Sequence, residues 1–187
     1  MGEERLPQLN LMHRDLSCLP DVRLPDGYCV RRFQPGDEQA WVDVLNSTGS
    51  LGQWTLEVAR ERMSGDKGRV VADSIHFVTY RGMPVATACL QHHADREEGE
   101  LGWVGLSLAH QGKGLGFQVC LATLHHIRSL GYTAAILSTD DQRFAAIKTY
   151  LKLGFRPVIT HESHLERWRA ILPRVGYNEE LIDCPRA

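Results

Sequence analysis

The sequence lacks any apolar run approaching 18 residues, so it offers no candidate membrane-spanning helix. Cysteine is sparse. Cys18, Cys29, Cys89, Cys120 and Cys184 are odd in number and far apart, and none forms a Cys-x-x-Cys pair. Neither a disulfide framework nor a zinc site follows from that spacing, and a reducing cytoplasm is the simple reading. An excess of either charge is also missing. Lys and Arg number 21 against 23 Asp and Glu, a formal net charge of −2, which argues against a nucleic-acid binder or a polybasic membrane anchor. The first 25 residues carry Glu3, Glu4, Arg5, Arg14, Asp15, Asp21 and Arg23 with no apolar core, so no secretory signal is expected. No internal repeat and no low-complexity stretch is visible.

What remains is a chain of 187 residues, 43% apolar, the composition of one globular domain with a sizeable core. Its centre of interest is Glu100-Leu-Gly-Trp-Val-Gly-Leu-Ser-Leu-Ala-His-Gln-Gly-Lys-Gly-Leu-Gly116. This reads as a strand, a glycine-rich turn and then a helix over Phe117–Leu130. Gly112, Gly114 and Gly116 permit special dihedrals and a close approach to a ligand. A helix beginning there turns unpaired N–H groups and the positive end of its dipole toward the turn, which suits a phosphate. The Walker pattern fails because Gly114 follows Lys113, and the dinucleotide fingerprint fails on glycine spacing.

Around this centre the pattern alternates strands and helices. Tyr28–Phe33 reads as a strand, and Pro35-Gly36-Asp37 opens a helix with Trp41, Val44 and Leu45 on one face. Thr55 caps a second short helix to about Met63. Ile75–Tyr80, the turn Arg81-Gly82 and Val85–Gln91 form a hairpin. His92–Gly99 is a charged loop whose Asp95, Glu97 and Glu98 read as a solvated tip or as an attractor for a cationic amine. Val119, Leu121, Leu124, Ile127 and Leu130 line the central helix, and Gly131 ends it. Thr133–Leu137 suits a buried strand, Gln142–Leu153 a helix and Gly154–Ile159 a strand, with Pro157 at an edge or bulge. His164–Leu172 reads as a short helix. Residues 1–27 form an arm without clear period, and residues 173–187 a polar tail.

Gln111-Gly112-Lys113-Gly114-Leu115-Gly116 resembles the Gln/Arg-x-x-Gly-x-Gly/Ala loop of the GNAT acetyltransferase superfamily. Ala146-Ile-Lys-Thr-Tyr150-Leu-Lys-Leu-Gly154-Phe155 is similar to that family's Ala-x-x-x-Tyr-x-x-x-Gly-Phe segment. The resemblance covers roughly residues 28–160 and implies a GNAT domain over 28–172. The implied fold is mixed α/β: a twisted, mostly antiparallel sheet, one parallel pair at the cofactor wedge, and helices on both faces. The implied activity is acetyl-CoA-dependent N-acetyl transfer by direct attack, with acetyl-CoA as co-substrate and no metal. The acceptor is a small-molecule or peptide amine, with no nucleic-acid or membrane partner; relatives are often homodimers. A non-catalytic acetyl-CoA-binding regulatory module is the alternative, and a phosphate-binding α/β protein outside the family a second.

By the same resemblance, Leu106, Ser107 and Leu108 pair through their backbone with the pantetheine arm, and Gln111, Gly112, Lys113, Gly114, Leu115 and Gly116 hold the pyrophosphate. Lys113 adds charge there or is simply solvated. Glu100 stands eleven residues before Gln111, where one branch of the family places its general base; the plain alternative is a strand-end acid facing water. Tyr150 takes the place of the general acid beside the thioester sulfur, or else packs as an aromatic. Arg143 departs from the pattern, since many relatives carry Asn seven residues before this tyrosine. The nine histidines show no four convergent ligands; the side chains of His92 and His93, like those of His125 and His126, diverge. Cys120 reads as core, and Trp54 as packing or as a wall of the acceptor pocket.

Overall fold

The computed structural model describes residues 6–49, 51–64 and 69–182. Cys184, in the polar tail, and Glu3, Glu4 and Arg5, in the arm, lie outside the described residues. The chain divides into two compact units, Asp15–Ala135 and Met1–Arg14 with Ile136–Ala187. The first strand, β1 (Leu9–His13), belongs to the smaller one.

The larger unit contains β2 (Tyr28–Arg32), α1 (Glu38–Ser47), α2 (Leu56–Met63), β3 (Val70–Tyr80), β4 (Met83–Gln91), β5 (Gly99–Leu106) and α3 (Leu115–Ser129). Its four strands lie in the order β2-β3-β4-β5, each antiparallel to the next. The hairpin expected around Arg81-Gly82 forms, with Tyr80 paired to Met83 and Arg81 at φ +50°. β3 is buried continuously from Ser74 to Thr79, so both faces of the strand are covered. Alternation along β3 identifies the covers: Phe77 packs into a cluster with Trp41, Leu45 and Trp54, while the ring of His76 lies 5.3 Å from that of His126 on α3. Helices therefore occupy both faces of this sheet.

The local signals hold well here. Trp41, Val42, Val44 and Leu45 are the buried face of α1. Asp37 precedes the helix but spends its carboxylate elsewhere, accepting from the Gln34 N–H at 2.7 Å and from Arg31, whose guanidinium holds its pKa below the usual range. Thr55 caps α2, its hydroxyl accepting the Val58 N–H at 3.3 Å. Residues 15–23 are tied along α3. Arg128 donates to the Ser17 carbonyl at 3.2 Å, His125 bonds the Pro20 carbonyl, and the Arg23 N–H donates to Gln118. α3 starts at Leu115, two residues earlier than the sequence indicated, and Leu130 is exposed rather than part of its apolar face. Gly131, at φ +95°, takes the left-handed position that closes the helix.

The smaller unit holds β1 with β6 (Ala135–Thr139, whose first residue ends the larger unit), α4 (Phe144–Lys152), β7 (Arg156–Val158) and α5 (His164–Ile171). Its strand order is β6-β1-β7, and Leu11 of β1 pairs with Pro157 of β7. Pro157, which has no N–H to give, thus sits on an edge strand, as expected. β1 lies in the arm for which the sequence shows no clear period, yet Leu9 and Leu11 alternate into the core with no exposure. Trp168, Ile171 and Leu172 line the buried side of α5, with His164 beside them, while Leu165 is only partly buried.

Among the described residues no helix is long and apolar enough to cross a membrane. The four described cysteines, Cys18, Cys29, Cys89 and Cys120, are free, and Cys120 is core as expected; burial pushes its thiol pKa up to about 12.

Candidate active site

The glycine-rich turn joins β5 to α3 through a 3₁₀ turn, Leu108–His110. Gly112 and Gly114 have φ of +77° and +75°, and Gly114 is the cap residue of α3. A side chain at either position would meet nothing within 4 Å, so these glycines are there for their left-handed backbone and not for lack of room. Gly116 is different: it lies within the helix and has no positive φ. The first amide to close a helical bond is that of Gln118, onto the Gly114 carbonyl at 3.2 Å. The N–H groups of Leu115, Gly116 and Phe117 therefore have no acceptor within the helix. Leu115 is fully buried and anchors the turn, while Gln111, Gly112, Lys113 and Gly114 are exposed. Open space, uncapped amides and the positive end of a four-turn helix fit a diphosphate.

The turn is held from behind by aromatics. The Tyr28 hydroxyl is 2.9 Å from Nδ1 of His110, and the Tyr80 ring lies 5.3 Å from the His110 ring. His110 directly precedes Gln111, so these contacts fix where the turn begins.

Of the three residues expected to present backbone to a pantetheine arm, Ser107 has its backbone N–H and carbonyl engaged within the protein. Its N–H donates to Val85 at 2.8 Å, and its carbonyl accepts from His110 at 3.0 Å. Because Ser107 faces β4 in this way, the antiparallel alternation turns the N–H and carbonyl of Leu106 to the opposite edge of β5. Leu108 opens the 3₁₀ turn and is exposed.

Glu100 does not simply face water. Three glycines on β5 show which way its side chains point. A Cβ on Gly99 would meet Ile127 of α3, so Glu100 points to the other face, toward α1 and α2. A Cβ on Gly102 would strike the amide of Gln91, and one on Gly105 would come within 3.4 Å of Leu45 on α1. The last two share a face although three residues apart, because β5 carries a bulge there: Cys89 pairs with Gly102, but Thr87 pairs with Gly105. Trp103 sits in the bulge at φ +47°.

The carboxylate of Glu100 is gripped on both oxygens. Gln91, its cross-strand partner, donates to Oε1 at 2.9 Å, and Nε2 of His93 bonds Oε2. The side chains of His93 and Glu100 are 6% and 14% exposed. The Cys89 thiol, whose pKa burial and the Glu100 charge drive well above its usual value, lies beneath and contacts the Gly102 carbonyl at 3.6 Å. Trp54 is buried and packs edge-on against Trp41 and Trp103, ring centroids 5.2 and 4.6 Å away, with Arg62 over the Trp103 face. Packing is thus its observed part.

Tyr150 lies in the smaller unit. It is buried on α4 at 3% exposure, its ring 6.2 Å from Phe155, and its carbonyl accepts the Phe155 N–H at 3.1 Å. The exposed tip of the acidic loop carries Asp95 and Glu97. Among the described residues no group of three His, Cys, Asp or Glu side chains could hold a metal ion. The reading of single residues did not find Gln91, His93 or Gly102, because cross-strand register brings them to Glu100. The one legible sign was the divergence of His92 and His93, which sends His92 outward to the Tyr132 hydroxyl at 2.8 Å and His93 inward.

A strand leading through a left-handed glycine turn into a helix N-terminus without a side-chain cap is the arrangement of an anion-binding α/β protein. Residues 41–155 match the Acetyltransferase (GNAT) family, and the chain belongs to that family. It is 34% identical over 161 residues to a mycothiol acetyltransferase of Thermomonospora curvata, covering 82% of this chain and 53% of that protein. The chain spans about half the length of the curated relatives it matches. Among solved structures, a GCN5-related N-acetyltransferase from Sphaerobacter thermophilus superposes with a TM-score of 0.68 at 22% identity, over 81% of this chain and 49% of that one. The diaminobutyrate acetyltransferase of Paenibacillus lautus, in complex with L-2,4-diaminobutyric acid and coenzyme A, gives 0.55 at 16% identity, over 67% and 73%. These likenesses to solved structures concern the fold.

Proposed function

We propose that this chain binds acetyl-CoA and transfers its acetyl group to a primary amine by direct attack. The observation that carries the reading is the turn at Gln111–Gly116, where two left-handed glycines open onto the uncapped N-terminus of α3. Gln111, Gly112, Lys113, Gly114, Leu115 and Gly116 hold the diphosphate, chiefly through backbone amides. Leu106 and Leu108 offer backbone to the pantetheine arm by strand-like pairing.

Three chemical needs follow. The amine must lose a proton, the developing oxyanion must be stabilised and the thiolate must leave. Glu100 takes the amine proton, so that an N–H bond breaks as an O–H bond forms on its carboxyl group. A backbone N–H at the end of β5 supports the oxyanion; the family resemblance gives Tyr150 the part of the acid that protonates the leaving thiolate. The acceptor is a small amine. The relatives named mycothiol acetyltransferase put mycothiol-related amines at the head of an acceptor panel, with L-2,4-diaminobutyric acid next.

Thermal unfolding with acetyl-CoA, CoA and ATP tests the binding step. A ligand held at about a hundred times its Kd stabilises the folded state by about 2.7 kcal/mol. A rise in Tm with both CoA species but not ATP supports the reading, and no rise with either removes it. CoA release on the amine panel then tests transfer. A protein that binds both CoA species but releases no CoA with any amine is a binding module.

A further inference from the structure

We propose that His93 is the positioning residue of the catalytic base, fixing the plane of the Glu100 carboxylate through Oε2 while Gln91 fixes Oε1. The inference rests on Glu100 being that base. An ionised carboxylate only accepts, so Nε2 of His93 carries the hydrogen and donates it, in the neutral or the charged imidazole alike. His93 is almost fully buried, and its loop is pinned on both sides. The His92 N–H donates to the Arg69 carbonyl at 2.7 Å, and the Arg96 N–H bonds the His93 carbonyl at 3.4 Å. The imidazole is therefore held in place rather than searching for a partner.

The arrangement does something a lone strand-end acid cannot. A buried carboxylate without donors would be strongly disfavoured, and one with a single donor could rotate about its terminal bond. Donors on both oxygens remove that rotation and leave a lone pair with a set direction. The missing side chain at Gly102 keeps the face of the group clear for Gln91 to reach it. When the amine proton arrives on Glu100, His93 keeps its own hydrogen and its bond. It neither gains nor loses a proton in the step.

The test compares His93→Ala, His93→Gln, Glu100→Gln and the double variant His93→Ala/Glu100→Gln, using acetyl-CoA and the best amine of the panel. His93→Ala is expected to lower kcat about a hundredfold, the order that a small misplacement of a reacting group costs, with KM for acetyl-CoA unchanged. His93→Gln, whose amide can donate from a similar place, recovers most of that loss. In the Glu100→Gln background, His93→Ala adds little, because the two act as one unit. A purely structural histidine would instead lower stability alike in both backgrounds and not be rescued by Gln.

Wild-type kcat in a folded His93→Ala, additivity with Glu100→Gln, or failure of His93→Gln to recover activity overturns the proposal. If Glu100→Gln itself keeps full activity, the assignment of the base falls, and this inference with it. If Glu100→Gln is inactive while His93→Ala is not, the inference alone falls. Should His93→Ala not fold, NMR of the wild-type imidazole decides. A protected Nε2–H signal that is lost in Glu100→Ala, which has no acceptor, supports the pair, and its absence from the wild type overturns it.

Discussion

Gln91 lies over the α-carbon of Gly102: a Cβ built on that glycine would come within 2.8 Å of the Gln91 side-chain carbonyl carbon and strike its amide nitrogen. Gly102 has no positive φ, so the backbone itself tolerates alanine. The obstacle is the far end of a flexible side chain, which can swing away.

Gly102→Ala is therefore expected to fold with a stability change within about 1 kcal/mol, yet to detach Gln91 from Glu100. The measurement is Tm beside kcat. A several-fold fall in kcat at nearly constant Tm supports the role of Gln91, and unchanged kcat refutes it.

Gly114→Ala puts a Cβ on a residue at φ +75°, where nothing obstructs it sterically but the left-handed backbone disfavours it. The expected cost is about 1–2 kcal/mol, with weaker CoA binding as the turn relaxes. Chemical denaturation and a CoA titration check the two effects. Gly116→Ala, at a helical φ, should leave stability within about 1 kcal/mol of the parent.

Gly154→Ala meets both difficulties at once. Its φ is +101°, and a Cβ there would come within 2.8 Å of the His13 ring. A loss of about 3 kcal/mol or more is expected in denaturant unfolding. Adding His13→Ala relieves the collision but not the backbone strain, so it should return only part of the loss.

His76 makes stability depend on pH. Burial, with the neighbouring charge of His126 next, lowers its pKa to about 4. The unfolded chain, with a value near 6.5, binds the proton first as pH falls. The folded state thus keeps its full advantage above about pH 6.5 and loses it on the way down to pH 4. The span corresponds to about 3 kcal/mol, and His76→Gln should flatten that part of a Tm against pH curve.

Much of the larger unit was written in local pattern. Thr55 announced α2, Trp41, Val44 and Leu45 announced α1, and the hairpin turned at Arg81-Gly82 as read. Each signal works within one or two turns of chain, where propensity and alternation act. β1 was missed because Leu9 and Leu11 alternate for only five residues, a pattern too short to stand out among prolines. The candidate site was marked in the sequence by the glycine turn and, through the family resemblance, by an acid eleven residues before Gln111.

The sequence by itself determined that a helix would begin beside a left-handed glycine turn, because Gly112 and Gly114 tolerate dihedrals that other residues resist. Only the tertiary structure decided what surrounds Glu100. Register between β4 and β5 places Gln91 opposite it, the bulge at Trp103 restores the facing of Gly105, and the His92–His93 divergence sends one imidazole onto the carboxylate. Ser107 shows the same division: its place in the chain matched the family's backbone-pairing segment, but its N–H pairs with Val85. Register and bulges are set by many weak contacts between distant residues, and no single stretch of chain encodes them.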